Sequence, residues 1–212
     1  MKFKDMTINE FLKRLDSAAP TPGGGSAAAL AVAVGISLIR MVSHITISKK
    51  KFQSLWVETK DEYLKATEYL NRLKAEALDL VDLDTEAYLE VVAAYKLPQN
   101  TDSEKSKRLQ TITKATLKAA DTPYRTAEVA LEALRTTQKL YPYAHKNAVS
   151  DIGVGVILIK TGLSGAAMNV KINMTGYQDE DISKGYLRKV ESLEKESTQI
   201  SEVILSFVRQ YL

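Results

Sequence analysis

The sequence predicts an all-α fold, a single-domain helical bundle in which a buried helix of small residues is surrounded by longer amphipathic helices. Three observations support this prediction. Apolar residues recur over long stretches at spacings of three, four or seven, which is the helical period. Helix-start signals precede those stretches, and no β-hairpin signal interrupts them. The 212 residues suffice for one substantial core, so we expect one domain over 1–212.

The first half of the chain predicts two helices and a long amphipathic region. Thr7 and Glu10 have the spacing of a capping box, and Phe11, Leu12 and Leu15 then form the apolar stripe of a short helix. A second helix is expected over about 26–47. Its alanines and other small residues surround the axis, which predicts that other helices enclose it. The amphipathic region, about 52–97, carries one apolar face made of Phe52, Trp56, Tyr63, Leu70, Leu73, Ala77 and Leu80.

Prolines and caps divide the second half. Thr101 or Asp102 is expected to cap the next helix, Asp121-Thr122-Pro123 to interrupt it, and Tyr141-Pro142 to close it. A further helix is expected over about 147–173, although its residues 152–159 also suit a buried strand by propensity alone. The last helix is expected over about 180–211.

Charge and cysteine content exclude several classes of function. A net charge of +3 gives no electrostatic reason to expect nucleic acid, and the Lys49-Lys50-Lys51 run indicates a solvated helix start. The absence of cysteine excludes disulfides, thiolate metal sites and thiol nucleophiles, and fits a reducing compartment. His44 and His145, with no clustered carboxylates, predict no metal site.

The sequence also indicates no membrane segment. Its N-terminus lacks the apolar run of a signal peptide. The most apolar stretch, Ala27 to Ile39, is shorter than the roughly 20 residues that span a bilayer. We therefore expect a cytoplasmic protein without membrane contact.

The loop Pro20-Thr-Pro-Gly-Gly-Gly-Ser26 precedes the second helix directly. Its glycines, Gly23, Gly24 and Gly25, leave little side-chain bulk, and the helix start offers backbone N–H groups at the positive end of a dipole. Such a junction is typical of a carboxylate or phosphate seat. The alternative is a tight turn that lets two helices approach closely, and the Lys-Ser/Thr of a P-loop is absent.

Several polar residues stand among apolar neighbours. Asn147, Ser150 and Asp151 open the helix expected over 147–173, where they are either capping residues or a reactive group. Asn169 and Asn173 share one face farther along it, and two amides there need partners in the core or on a ligand. Asp84 is either a solvated carboxylate at a helix break or a functional group.

Five segments together resemble the formiminotetrahydrofolate cyclodeaminase and methenyltetrahydrofolate cyclohydrolase family, in family order and over nearly the whole chain. They are Pro20-Thr-Pro-Gly-Gly-Gly-Ser-Ala-Ala-Ala-Leu, Asp84-Thr-Glu-Ala-Tyr88, Ala94-Tyr-Lys-Leu-Pro98, Asn147-Ala-Val-Ser-Asp151 and Gly165-Ala-Ala-Met-Asn-Val-Lys-Ile-Asn173. The resemblance implies an all-helical homodimer that acts on a reduced folate, here in the stand-alone form. Ala144-His145 replaces a Gly-Asn pair that the family often has, a departure that bears on specificity.

The resemblance implies cyclodeaminase chemistry: a folate nitrogen attacks the formimino carbon, a ring closes to methenyltetrahydrofolate, and ammonia leaves. Asp151 is then expected to transfer the proton, with Asp84 as second candidate. Asn169 and Asn173, with Asn147 and Ser150, are expected to bind folate, and the loop Gly23–Ser26 or Lys96 to bind its glutamate carboxylate. No cofactor beyond the folate is expected. The alternatives are a methenyltetrahydrofolate cyclohydrolase and a non-catalytic helical folate-binding or scaffold protein.

Overall fold

A computed structural model describes residues 2–212, and all regular secondary structure within that range is helical. Its α-helices are α1 (Ile8–Leu15), α2 (Gly24–Ile47), α3 (Lys50–Gln53), α4 (Val57–Tyr95), α5 (Asp102–Leu140), α6 (Val149–Met174) and α7 (Glu180–Arg209). The all-α prediction is confirmed. The strand considered for residues 152–159 is wrong, because those residues lie inside α6.

Two helix starts carry the capping predicted from the sequence. Thr7 and Glu10 form both bonds of a capping box at α1, and Thr101 and Glu104 do the same at α5. In α1, however, only Phe11 is buried, whereas Leu12 and Leu15 are exposed. One short helix lying on the surface of the bundle presents a single row of side chains to the core, so the predicted stripe is too wide.

The centre of the bundle is an antiparallel pair, α2 and α6. Glycines allow these helices to lie almost backbone to backbone. A Cβ on Gly35 would lie 2.6 Å from the carbonyl oxygen of Gly155, and one on Gly162 would lie 2.7 Å from that of Ala28. These mid-helix glycines were not singled out from the sequence, where a close approach of helices was considered only for the loop at 20–26. α4 and α5 cover one side of the pair, and α7 packs on α6 and α5.

The prediction that α2 is enclosed on all sides is wrong. One side of α2 exposes Val34 and Met41, and the matching side of α6 exposes Val154, Ile157, Met168 and Ile172. By length and composition alone, both helices could span a membrane. About half of the most apolar 18-residue stretch of each is buried inside the protein, 44% in α2 and 50% in the helical stretch Lys146–Met174. The apolar stretch counted in the sequence, Ala27 to Ile39, is thus only part of a 24-residue helix.

Two further expectations about the long helices are corrected. Trp56, placed on the apolar face of the amphipathic region, lies before the start of α4 and is 82% exposed. Pro123 does not interrupt α5, which runs unbroken from Asp102 to Leu140. A proline inside a helix leaves the carbonyl four residues earlier without its N–H donor. Here that carbonyl belongs to Ala119, and the side-chain amide of Asn173 donates to it instead.

Candidate functional site

The N-terminus of α2 lies against the C-terminal half of α4, where it meets Asp84. The hydroxyl of Ser26 lies 3.1 Å from Oδ2 of Asp84 and 2.8 Å from the carbonyl oxygen of Val81, so it can donate its proton to either. The Asp84 carboxylate lies so close to this helix end that a Cβ on Gly25 would be 2.7 Å from its Oδ2. The positive end of the α2 dipole is therefore already occupied by a carboxylate of the chain itself.

Gly25 allows this contact. A Cβ at Gly25 would lie only 2.5 Å from Cγ of Asp84, a distance that real Cβ atoms do not show. α2 begins at Gly24 rather than at Ser26 as expected, so this glycine lies in the first turn of the helix and lets a protein carboxylate approach the helix end closely. The sequence predicted an anion seat at this junction, and the anion that the structure places there is Asp84.

Burial raises the pKa of Asp84 above the usual range of an aspartate, although the hydrogen bond from the Ser26 hydroxyl acts in the opposite direction. The solvated-carboxylate interpretation therefore does not apply, since the side chain is half-buried and hydrogen-bonded. A raised pKa means that the carboxyl group holds its proton more readily than an ordinary aspartate does, which is the direction that a general acid requires.

Asn169 faces the same helix start from α6. A Cβ on Gly24 would lie 3.5 Å from its Nδ2, so the amide borders the glycine loop. Nδ2 donates to the carbonyl oxygen of Gly165 at 2.9 Å. Oδ1 accepts no hydrogen bond from the part of the chain that the structure describes, and is therefore available to a ligand N–H.

Asn173 supplies the donor that Pro123 removes. Its Nδ2 donates to the carbonyl oxygen of Ala119 at 2.7 Å, and Ala119 is the residue four positions before Pro123. The amide therefore connects α6 to α5 at the point where the helix has lost a backbone bond. The sequence left open whether the Asn173 amide bonds to the core or to a ligand, and the resemblance favoured folate. The structure gives the amide a partner within the protein.

Asn147, Ser150 and Asp151 lie together at the start of α6. Ala148, rather than Asn147 or Ser150, is the N-cap residue, and no side chain caps the helix. The capping interpretation of these residues is therefore wrong. Asn147 and Ser150 are exposed and Asp151 is half-buried, and their side chains make no hydrogen bond with any residue in 2–212.

The structure thus separates the predicted site residues into two clusters within one chain. The glycine-loop cluster consists of Gly23–Ser26, Asp84 and Asn169, and the α6-start cluster of Asn147, Ser150 and Asp151, whereas the side chain of Asn173 bonds to α5. From Asp151 to Asn169 the helix rises about 27 Å, at about 1.5 Å per residue. Lys96 belongs to neither, since it lies about 18 Å along α4 from Asp84 by the same measure.

Two features of the site were not predicted from the sequence. Thr85 Oγ1 lies 3.3 Å from Ser26 Oγ and belongs to the hydrogen-bonded group around Asp84. The link from Asn173 to Ala119 was missed as well, although a proline in an otherwise helical pattern signals a free carbonyl. Among the described residues, no three His, Cys, Asp or Glu side chains converge in a way that would hold a metal ion.

Comparison with known proteins identifies the family of the chain. A family described as Formiminotransferase-cyclodeaminase matches residues 7–192. A methenyltetrahydrofolate cyclohydrolase of Methylorubrum extorquens is 36% identical over 203 residues, which covers 96% of each chain. A formimidoyltransferase-cyclodeaminase of Rattus norvegicus is 26% identical over 95% of this chain but only 36% of its own length.

The fold has a solved counterpart. The crystal structure of formiminotetrahydrofolate cyclodeaminase from Thermotoga maritima superposes with a TM-score of 0.85, covering 98% of both chains at 24% identity. At that identity the likeness shows the fold alone. The family match, which extends over most of the chain, and the 36% identical relative together show that this protein belongs to the formiminotransferase-cyclodeaminase family of folate one-carbon enzymes.

Proposed function

We propose that the chain is a methenyltetrahydrofolate cyclohydrolase. The observation that carries the proposal is the 36% identity to a protein of that name over nearly the full length of both chains. In this reaction water adds to the carbon that bridges N5 and N10 of the folate, and the bond from that carbon to N5 breaks. Of the two protons of water, one ends on N5 and the other is released, and the product is 10-formyltetrahydrofolate.

The carboxyl groups of Asp84 and Asp151 suit the proton transfers of this reaction. Addition of water needs a base that accepts its proton, and ring opening needs an acid that protonates N5. Asp84, with its raised pKa, fits a group that holds and returns a proton. Asp151, free of hydrogen bonds within residues 2–212, fits the base that receives a proton from water. The reaction runs on the folate without another organic cofactor.

Cyclodeaminase is the second candidate, favoured by the family description and by the rat relative. There N10 attacks the formimino carbon and loses its proton, and the ring closes. The formimino nitrogen gains two protons, one that replaces the N10 proton and one from solvent, and leaves as ammonia when its bond to the carbon breaks. The same pair of acid and base groups serves both reactions, because both act on the same ring carbon.

We infer that the protein acts as a homodimer through the exposed apolar face of α2 and α6. Val34, Met41, Val154, Ile157 and Met168 lie on this face and are at least 39% exposed. A face of this kind, running along two neighbouring helices, is typical of a subunit interface. Among the closed symmetries, a two-fold axis is the commonest and brings the same surface of each copy together.

Such a dimer joins the two clusters. Lys160 lies midway between Asp151 and Asn169 in the sequence. If the two-fold axis passes near it, the α6 helices of the two copies run antiparallel, and the start of one lies beside the end of the other. The α6-start cluster of one copy then completes the glycine-loop cluster of its partner, although about 27 Å separates them within a chain.

A near-ultraviolet assay tests the function, because the methenyl ring absorbs where its open forms do not. Loss of the methenyl band above spontaneous hydrolysis is the expected result. Appearance of the band from formiminotetrahydrofolate, with ammonia released, would establish the cyclodeaminase instead. No change in either assay, together with tight binding in an equilibrium titration with reduced folate, would indicate a non-catalytic folate-binding protein.

A further inference from the structure

Two of the long helices extend beyond one end of the central pair. α2 begins beside Asp84, yet α4 continues for 11 more residues to Tyr95, a distance of about 17 Å. α6 ends just after Asn173, which reaches Ala119, and α5 begins 17 residues before that alanine, about 26 Å away. Residues 88–118 therefore form a two-helix arm that stands past both central helices.

The arm has little packing of its own. Between residues 88 and 118, only Ala94 and Ala115 are buried. A cavity of about 430 Å³ lies between its two helices, and the start of α7 approaches it at Thr113. Helices in proteins owe most of their stability to tertiary packing. A hairpin with so few buried side chains therefore gains stability when another surface packs on it.

One face of the arm is apolar and continues from the candidate site. Tyr88, Val91 and Tyr95 follow Asp84 at four, seven and eleven residues, so all four lie on one side of α4. Because Asp84 marks the side that meets α2, the three residues after it border the space beyond the start of α2. Tyr88 is 43% exposed and Tyr95 is 56% exposed. We call Tyr88, Val91 and Tyr95 the arm face.

The Tyr95 ring is held in place. The guanidinium carbon of Arg108 lies 5.5 Å from the centroid of this ring, and the same guanidinium donates to the Tyr95 carbonyl oxygen at 3.1 Å. A stacked arginine of this kind orders an exposed aromatic side chain. The arm face therefore presents an ordered ring to solvent, which lowers the entropy cost of binding to it.

The chain exposes a second group of aromatic rings at the opposite end of the bundle. Within residues 2–212 five aromatic side chains are exposed, and the three outside the arm face are Trp56, Tyr143 and Tyr211. Trp56 follows Leu55, which lines one cleft together with Tyr143 and Lys146, and the Lys146 ammonium lies 5.8 Å from the centroid of the Tyr211 ring. These three rings, which we call the aromatic end, thus lie where α2 finishes and α6 begins.

The antiparallel dimer brings the arm face of one copy to the aromatic end of the other. With the two-fold axis near Lys160, each residue of α6 lies beside the residue equally far on the other side of position 160 in the partner. Met174, which ends α6, then lies beside Lys146 of the partner subunit. The arm continues past Met174, so it lies beside the segment before the partner's α6, where the aromatic end is found.

We propose that the arm face of each copy docks on the aromatic end of its partner; this rests on the homodimer inferred with the proposed function. An interface of standard size engages about 20–30 residues a side. The described α2–α6 face exposes six large apolar side chains, and the aromatic groups extend it at both ends. Tyrosine and tryptophan are the residues that most often dominate binding at interfaces. Because Tyr88 lies one turn from Asp84, the docked copy also closes one side of the candidate site.

The absence of cysteine allows a cross-linking test. In Trp56→Cys/Tyr95→Cys, a short bismaleimide should join two chains into a covalent dimer on a denaturing gel. The link cannot form within one chain, because the length of α4, about 58 Å, separates the two positions. Trp56→Cys/Thr198→Cys is the control, since Thr198 is exposed on α7, 18 residues from its start at the arm, and it should give no covalent dimer.

A second variant measures how much the contact contributes to dimerisation. Tyr95→Ala should raise the dissociation constant of the dimer at least about tenfold, since a two-fold axis places this residue in two equal contacts. Val203→Ala, which removes an exposed apolar side chain of α7, should leave the constant unchanged. Sedimentation equilibrium gives the constant for both variants, and equal constants would overturn the contact.

The outcomes separate the arm contact from the proposed function. A dimer that the bismaleimide leaves unlinked in the arm variant, or links equally in the arm variant and the control, would overturn the contact alone. A monomer in sedimentation would overturn both the contact and the homodimer. Neither measurement depends on turnover, so a linked dimer without activity on any folate would refute the enzyme and retain the contact.

Discussion

The link between Asn173 and Ala119 makes a quantitative prediction about stability. Asn173→Ala removes the only donor that the structure gives to the Ala119 carbonyl, which Pro123 has left without its backbone bond. An unsatisfied buried polar group costs about 1–3 kcal/mol. For a protein of this size, at about 2–4 °C per kcal/mol, we therefore expect a fall in Tm of roughly 2–12 °C.

A double-mutant cycle with Pro123→Ala isolates the cause. That substitution restores a backbone N–H at position 123, which can bond the Ala119 carbonyl itself. In this background Asn173→Ala should cost less, by about 1 kcal/mol or more, because the carbonyl no longer depends on the amide. Denaturant unfolding of the four proteins gives the coupling free energy. Equal costs in both backgrounds would refute the reasoning.

The remaining predictions concern the site and the interface. Gly25→Ala should displace the Asp84 carboxylate and lower turnover at least tenfold, whereas Gly185→Ala, whose Cβ meets nothing within 4 Å, should leave kcat unchanged. Asp84→Asn should lower kcat about a hundredfold. Because burial raises the folded-state pKa of Asp84, the folded protein binds the proton more tightly and loses stability as pH rises through the range between the unfolded and folded pKa values. The same variant should therefore have a flatter dependence of Tm on pH across that range; an unchanged slope would contradict the assignment. Ile157→Glu places a charge in the apolar face and should convert the dimer to a monomer in analytical ultracentrifugation, while Lys105→Glu should not.

The sequence was sufficient for the helices because their signals are local. The capping boxes at Thr7 and Thr101 and the spacing of apolar residues in α4 predict elements that the structure confirms. Pro123 shows the limit of local reasoning. A proline is a helix breaker only where its cost is not offset, and here a side chain 50 residues later supplies the missing bond.

The candidate site was predictable in its residue types but not in its arrangement. The sequence indicated Asp84, Asn169 and the glycine loop, and the structure brings these three together. From the sequence we also expected Asp151 in the same site. In the structure, however, this residue lies about 27 Å along α6 from Asn169. Distance along a helix is fixed by residue number, so this separation was implicit in the sequence once 147–173 was interpreted as one helix.

The enclosure of α2 was predicted wrongly for a related reason. Small and apolar residues around an axis indicate burial but do not say whether another helix of the same chain or a second subunit provides it. In α2 and α6 one side is covered within the chain and the other exposes Val34, Met41 and Ile157. Composition alone cannot distinguish these two kinds of partner.

Mixing two inactive variants tests the central claim, that the enzyme works through a site shared between two copies. Asp84→Asn and Asp151→Asn are each expected to abolish most cyclohydrolase turnover. After mild unfolding and refolding of an equal mixture, half the dimers are hybrids, and each hybrid has one unaltered site of two. Activity should therefore return to about a quarter of that of the unmodified protein. Activity no higher than that of the separate variants would contradict the shared site.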